Sequence, residues 1–207
     1  RNDREYFELL VKMGQSNDLE RRNSYFKELS ALRKKQMAVT TLDEAQYACI
    51  SSWMHWVVRE MAFLKGNLED VKGVSHSIRL PVTPAEISKC LKDLEKAGLL
   101  VREAGRLKPA MSSINFPEEI HSLALMNYHQ AILKHSMKAL EQQNTKEREY
   151  GAVLVATTPD KYKQVKERLK KVRREVLEIL DTPEREATLV SSFSFQMFQV
   201  VSPDEKE

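Results

Sequence analysis

The chain has 207 residues, 42% of them hydrophobic and 30% charged, and 33 Lys and Arg face 30 Asp and Glu for a formal net charge of +3. This is enough for one large or two small domains with a real core, and the near balance of charge argues against a nucleic-acid surface spread over the whole molecule. No apolar run approaches the roughly 20 residues of a membrane span, no signal-peptide pattern is present, and Cys49 and Cys90 sit on apolar helix faces as free thiols do in a reducing cytoplasm.

In chain order, 3–13 reads as a short helix with Tyr6, Phe7, Leu10 and Met13 on one side. Asp18 caps a second helix to about residue 35, which ends in the basic cluster Arg33, Lys34 and Lys35. A third helix, 43–65, carries Tyr47, Ile50, Trp53, Met54, Trp56, Val57, Val58, Met61 and Leu64 around most of its circumference and is expected at the centre of the core. A short helix and loop fill 67–79, and Ile78 to Leu80 suggest a brief strand.

The best-determined stretch is 83–110. Thr83 is an N-cap, Pro84 takes the first helical position, and Glu86 completes a capping box. Ile87, Leu91 and Leu94 form an apolar stripe that Cys90 and Ala97 widen, and Gly98 fits the left-handed position that ends a helix. Leu99 to Val101, a turn over Glu103 to Gly105, and Arg106 to Lys108 then read as a small hairpin. Helix, short helix, capped helix and hairpin is the order of a winged helix.

Beyond a linker at 112–116, a long helix is expected over 117–143. A strand over 150–157, a basic helix over 159–180 capped by Thr158, and a long strand over 187–201 make a strand-helix-strand module. In the basic helix Tyr162, Val165, Leu169, Val172, Val176 and Ile179 recur at helical spacing. Three readings of that helix stand side by side: packing on a two-stranded sheet, pairing with its own copy, or tracking a phosphate backbone.

Candidate site residues fall in two groups. Ser88, Lys89 and Lys92 point away from the apolar stripe of 84–96, and Arg102 and Arg106 lie on the hairpin, so these five are candidates for nucleic-acid contact. Glu86 and Asp93 share that surface and would repel phosphate. Ser52, His55 and Arg59 share a helix face, and Tyr128 and His129 form a further polar pair; each is a candidate ligand site or a hydrogen-bonded helix contact. His121, His129 and His135 lie eight and six residues apart, without the i, i+4 spacing of helical metal ligands. No phosphate-loop, dinucleotide-binding, zinc-protease or nucleophile-elbow motif occurs, so neither catalysis, a metal nor a cofactor is expected.

Several blocks together resemble an uncharacterised bacterial family, a domain of unknown function found after an N-terminal helix-turn-helix. They are REYFELLVKM at Arg4, YACISSWMHWVVREM at Tyr47, LPVTPAEISKCLKDLEKAGLL at Leu80, LALMNYHQAILKHSMKAL at Leu123 and SFQMFQV at Ser194. Members often have an Arg before the Tyr-His pair, where this chain has Met126 and Asn127. The resemblance implies a transcriptional regulator with a helix-turn-helix upstream of Arg1 making most of the DNA contact; the expectation for the chain is a cytoplasmic homodimer that is not an enzyme. The alternative is a protein-interaction scaffold whose winged helix binds no DNA. The fold class expected is α+β and mainly helical. It comprises N-terminal helices over 1–41, a winged-helix domain over 42–111, and a long helix plus strand-helix-strand module over 112–207.

Overall fold

The computed structural model describes residues 2–36, 41–64, 66–110, 118–181 and 186–201. The side chains of the basic cluster 33–35, the linker 112–116 and the tail 202–207 lie outside the described residues. The chain divides into two compact units, Arg1–Gln143 with Glu184–Val190, and Asn144–Pro183 with Ser191–Glu207. The fold is mainly helical with one small antiparallel sheet, as α+β composition requires.

In the first unit, α1 (Asn2–Gln15) and α2 (Leu19–Gln36) form a helical hairpin. Asp18 Oδ1 accepts hydrogen bonds from the backbone N–H groups of Glu20 and Arg21, and so starts α2. Leu9, Met13 and Leu29 close on Leu123 of α7 (Glu118–Gln142), with Phe26 and Tyr47 packed at the edge. Leu123 and its neighbour Ala124 are fully buried. This is why α7, expected with the C-terminal module, belongs to the first unit.

The helix expected over 43–65 is two helices, α3 (Thr41–Ser51) and α4 (Trp53–Met61). Ser52 breaks the run with an extended backbone, φ −108° and ψ 122°. Two serines in succession favour the break, because their hydroxyls compete for backbone groups: Ser51 Oγ donates to the Ala48 carbonyl. Trp56 Nε1 donates to the Ile50 carbonyl at 3.4 Å, satisfying an acceptor at the end of α3.

A second core lies between α3, α4, α5 (Val71–Ser77) and α6 (Pro84–Lys96). It is built on Cys49, Val58, Val74, Ile87, Cys90, Leu91 and Leu94, and the hairpin closes it with Leu100 and Leu107. Ile78 to Leu80 form a bend and no strand.

The ends of α6 follow from its sequence. Thr83 Oγ1 accepts from the Glu86 N–H, while Glu86 Oε2 accepts from the Thr83 N–H at 2.8 Å, a complete capping box. At the other end Gly98 has φ 71°, and Leu99 N–H reaches back to the Leu94 carbonyl at 2.9 Å. Strand β1 (Leu100–Glu103) then pairs antiparallel with β2 (Arg106–Pro109), Glu103 opposite Arg106 and Leu100 opposite Pro109. Ala104 and Gly105 both have positive φ, the hallmark of a type I′ two-residue turn.

In the second unit Thr158 Oγ1 accepts from the Lys161 N–H and begins α8 (Pro159–Leu180). The expected strands at 150–157 and 187–201 are not formed: among the described residues the sole ladder is β1 with β2. A strand exists only through a ladder of hydrogen bonds to a partner strand, and neither segment is in such a ladder among the described residues.

Candidate nucleic-acid interface

The outer face of α6 is what its amphipathic spacing leaves over once Ile87, Cys90, Leu91 and Leu94 turn inward. Lys89 and Lys92 are exposed on it and Ser88 is half-buried. Arg106 is exposed at the hairpin, one residue past the turn. Of the five candidates, these four are open to a phosphate backbone.

Arg102 is differently placed. Its guanidinium is held between Glu69, ahead of α5, and Glu95 of α6, with Nε 2.8 Å from Glu95 Oε1. The Glu69 hydrogen bond, then Glu95, raises its pKa further. The arginine put forward for nucleic-acid contact therefore ties the hairpin to the helices. Lys108 is paired with Glu103 across the hairpin at 3.1 Å. Glu86 keeps its negative charge on the same face, since the Thr83 backbone hydrogen bond lowers its pKa.

Ser52, His55 and Arg59 do not share one helix. Ser52 is the break, whereas His55 and Arg59 lie on α4. His55 is buried, and its Nε2 stands 3.5 Å from Asp93 Oδ2 of α6, too poorly placed for a hydrogen bond. Arg59 pairs with Glu60 beside it. Burial lowers the His55 pKa; Asp93 opposes that shift and Lys89 adds to it. The ring is therefore neutral at pH 7 and spans the contact between α4 and α6.

A pH dependence follows from this. The folded pKa of His55 lies below its unfolded value of about 6.5, so between the two the unfolded chain binds more protons. The stabilisation from a neutral His55 is full above about pH 6.5 and declines as pH falls toward the folded pKa. Urea midpoints between pH 7.5 and 5 are expected to drop for the natural chain and to drop less for His55→Gln; equal slopes would contradict this role.

Cys49 and Cys90 are buried free thiols in the same core. Burial, with Asp93 adding, pushes Cys49 up to about 12, and Cys90 is raised for the same first cause. Both are thus un-ionised and unreactive.

Tyr128 and His129 meet edge to face at 5.6 Å, Tyr128 half-buried and His129 exposed. The polar centre of α7 is the residue before them. Asn127 and Asn23 exchange two amide hydrogen bonds, at 2.9 and 3.1 Å, and Asn127 Nδ2 also lies 3.2 Å from the Tyr47 hydroxyl. Tyr47 in turn stacks on Phe26 with centroids 4.0 Å apart. Three helices, α2, α3 and α7, are joined through these side chains. An Asn at a helical core position was the available signal, but its partners lie 80 and 104 residues away in sequence.

Among the described residues no group of three or more His, Cys, Asp or Glu could hold a metal ion, and no helix is long and apolar enough to cross a membrane. The model of a family described as Domain of unknown function (DUF4423) matches residues 33–200. The chain belongs to the DUF4423 family. The matched range takes in α3 to α8, both β-strands, and parts of both units. No curated protein and no solved structure matches the chain. The α6 surface and the Arg102 clamp both lie inside the DUF4423 match.

Proposed function

We propose that this DUF4423 chain is a non-catalytic bacterial transcriptional regulator in which α3 to α6 and the hairpin form a winged helix. Its action is positional. Binding of a partner or ligand changes the spacing of DNA-binding elements and hence operator affinity. The observation that carries this reading is the exposure of Lys89 and Lys92 on the outer face of the capped helix α6, with Arg106 on the hairpin beyond it. Such cations position a duplex through its phosphates.

The test is duplex binding by fluorescence anisotropy at several salt concentrations. Affinity is expected to fall steeply with salt, and Lys89→Ala with Lys92→Ala to reduce the slope of log K against log salt by roughly 2. Absence of salt-dependent binding to any duplex would remove DNA contact by α6.

A second reading is a winged helix that docks a protein. The Arg102 clamp favours it, because the hairpin spends its central cation on Glu69 and Glu95. Glu86 on α6 adds negative charge to the same surface. Such a face suits a partner with mixed charge better than a polyanion.

A further inference from the structure

The second unit leaves much apolar surface uncovered. Helix α8 has 22 residues and buries none of them. Its apolar stripe is Tyr162, Val165, Leu169, Val172, Val176 and Ile179, in steps of three, four, three, four and three. Val165 and Ile179 are 50% and 79% exposed, while Tyr162, Leu169, Val172 and Val176 are half-buried. The two segments that form no strand are barer still: Val153 and Leu154 are 89% and 87% exposed, and Phe193, Phe195, Phe198, Val200 and Val201 are all exposed. The aromatic side chains among them each offer roughly 150–250 Å² when fully exposed.

We propose that a second copy of this chain covers this surface, with two α8 helices packed antiparallel about a two-fold axis between Lys170 and Lys171. The stripe reads the same from either end. An antiparallel copy centred there sets Tyr162 level with Ile179 of the copy, Val165 with Val176, and Leu169 with Val172. Every apolar layer meets another, as an isologous contact demands.

Charge selects the same orientation. Residues 160–166 carry Lys161, Lys163 and Lys166 with only Asp160 opposing them, whereas residues 175–181, which an antiparallel copy sets level with them, carry Glu175, Glu178 and Asp181; Arg173 and Arg174 lie just inside that acidic end. Antiparallel pairing sets the basic end against the acidic end of the copy, and parallel pairing sets like against like. The helix dipoles agree. At the positions flanking the seam, Arg168 faces Glu175 of the copy, twice by symmetry, against one unfavourable kind of facing, Lys166 with Arg173. Near the axis Lys170 is bound to Glu167 of its own helix at 2.7 Å, which relieves the crowding of cations there. The apolar segments on either side of α8 extend the contact beyond the helix pair.

This inference stands without the DNA reading, and its test is separate. Sedimentation equilibrium of the full chain is expected to show a dimer. Leu169→Glu with Val172→Glu is expected to give a monomer that keeps its helical circular dichroism, because both side chains are only half-buried in the single chain. Arg168→Glu is expected to raise the dissociation constant about tenfold, and adding Glu175→Arg to restore it. Chains carrying Tyr162→Cys, mixed with chains carrying Ile179→Cys, are expected to form mixed disulfides; Tyr162→Cys alone is not, since antiparallel helices hold its two copies far apart. Cys49 and Cys90 are buried and do not interfere. A monomeric natural chain, a dimer indifferent to the glutamates, or a disulfide between two Tyr162→Cys chains would each overturn the proposal. A monomer would mean that some other segment or partner covers the surface.

Discussion

Leu94→Ala is expected to lower the free energy of unfolding by about 2–5 kcal/mol. Leu94 is 1% exposed on the inner face of α6, where the core of α3, α4, α5 and the hairpin converges. Its carbonyl also accepts the Leu99 N–H that ends the helix, so the side chain and the helix stop are set by one residue. Removing three carbons leaves a cavity whose walls are pinned. Thr83 and Glu86 fix one end of α6, and the Arg102 pairs fix the hairpin beyond the other. The site therefore collapses little, which places the loss toward the upper part of that range. Urea unfolding with an unchanged m-value is the measurement. A loss below about 1 kcal/mol, the scale of an ordinary substitution, would show that α6 is not packed in this core.

Asn127→Ala is expected to cost about 1–3 kcal/mol, because it strands the Asn23 amide and removes a neighbour of the Tyr47 hydroxyl. These groups lie between helices with limited access to water. Burial already raises the Tyr47 pKa, and Asn127 partly offsets that rise. The effect should be cooperative rather than local. A double-mutant cycle with Asn23→Ala is expected to show a coupling of about 0.5–3 kcal/mol, since either deletion alone breaks both reciprocal bonds. Independent, additive losses would mean that α2 and α7 are held by the cluster around Leu29 and Leu123 and by Arg22 with Ser122 and Met126 rather than by the amide pair.

Much of the first unit was legible in the sequence wherever the interaction is local. The capping box at Thr83, the positive φ of Gly98, the stripe of α6 and the short hairpin each depend on residues a few positions apart, and all are present. The Thr158 cap of α8 was legible for the same reason. The division of the predicted third helix was not. Its apolar pattern runs on through Ser52, and the break is decided by how Trp56 and the two serines share backbone carbonyls.

The candidate residues divide along the same line. Exposure of Lys89 and Lys92 follows from helical periodicity, which the sequence displays. Arg102 shares a face of the hairpin with buried Leu100 and with Leu107, its partner across the ladder, yet Glu69 and Glu95 come from other elements, and only their approach turns a free cation into a clamp. His55 read as one of a helix-face trio, but the packing of α4 on α6 brings it to Asp93.

By itself, then, the sequence determined the capped or glycine-stopped helix ends at Thr83, Gly98 and Thr158 and the apolar face of α6, because those depend on contacts within about one helical turn. The tertiary structure alone decided that α7 completes the N-terminal core, that Asn23, Tyr47 and Asn127 meet, and that Arg102 is already engaged. It also decided that 150–157 and 187–201 are not strands within one chain. Period and composition make a segment able to pair, but pairing needs a partner strand at hydrogen-bond distance, and the described residues place none beside them.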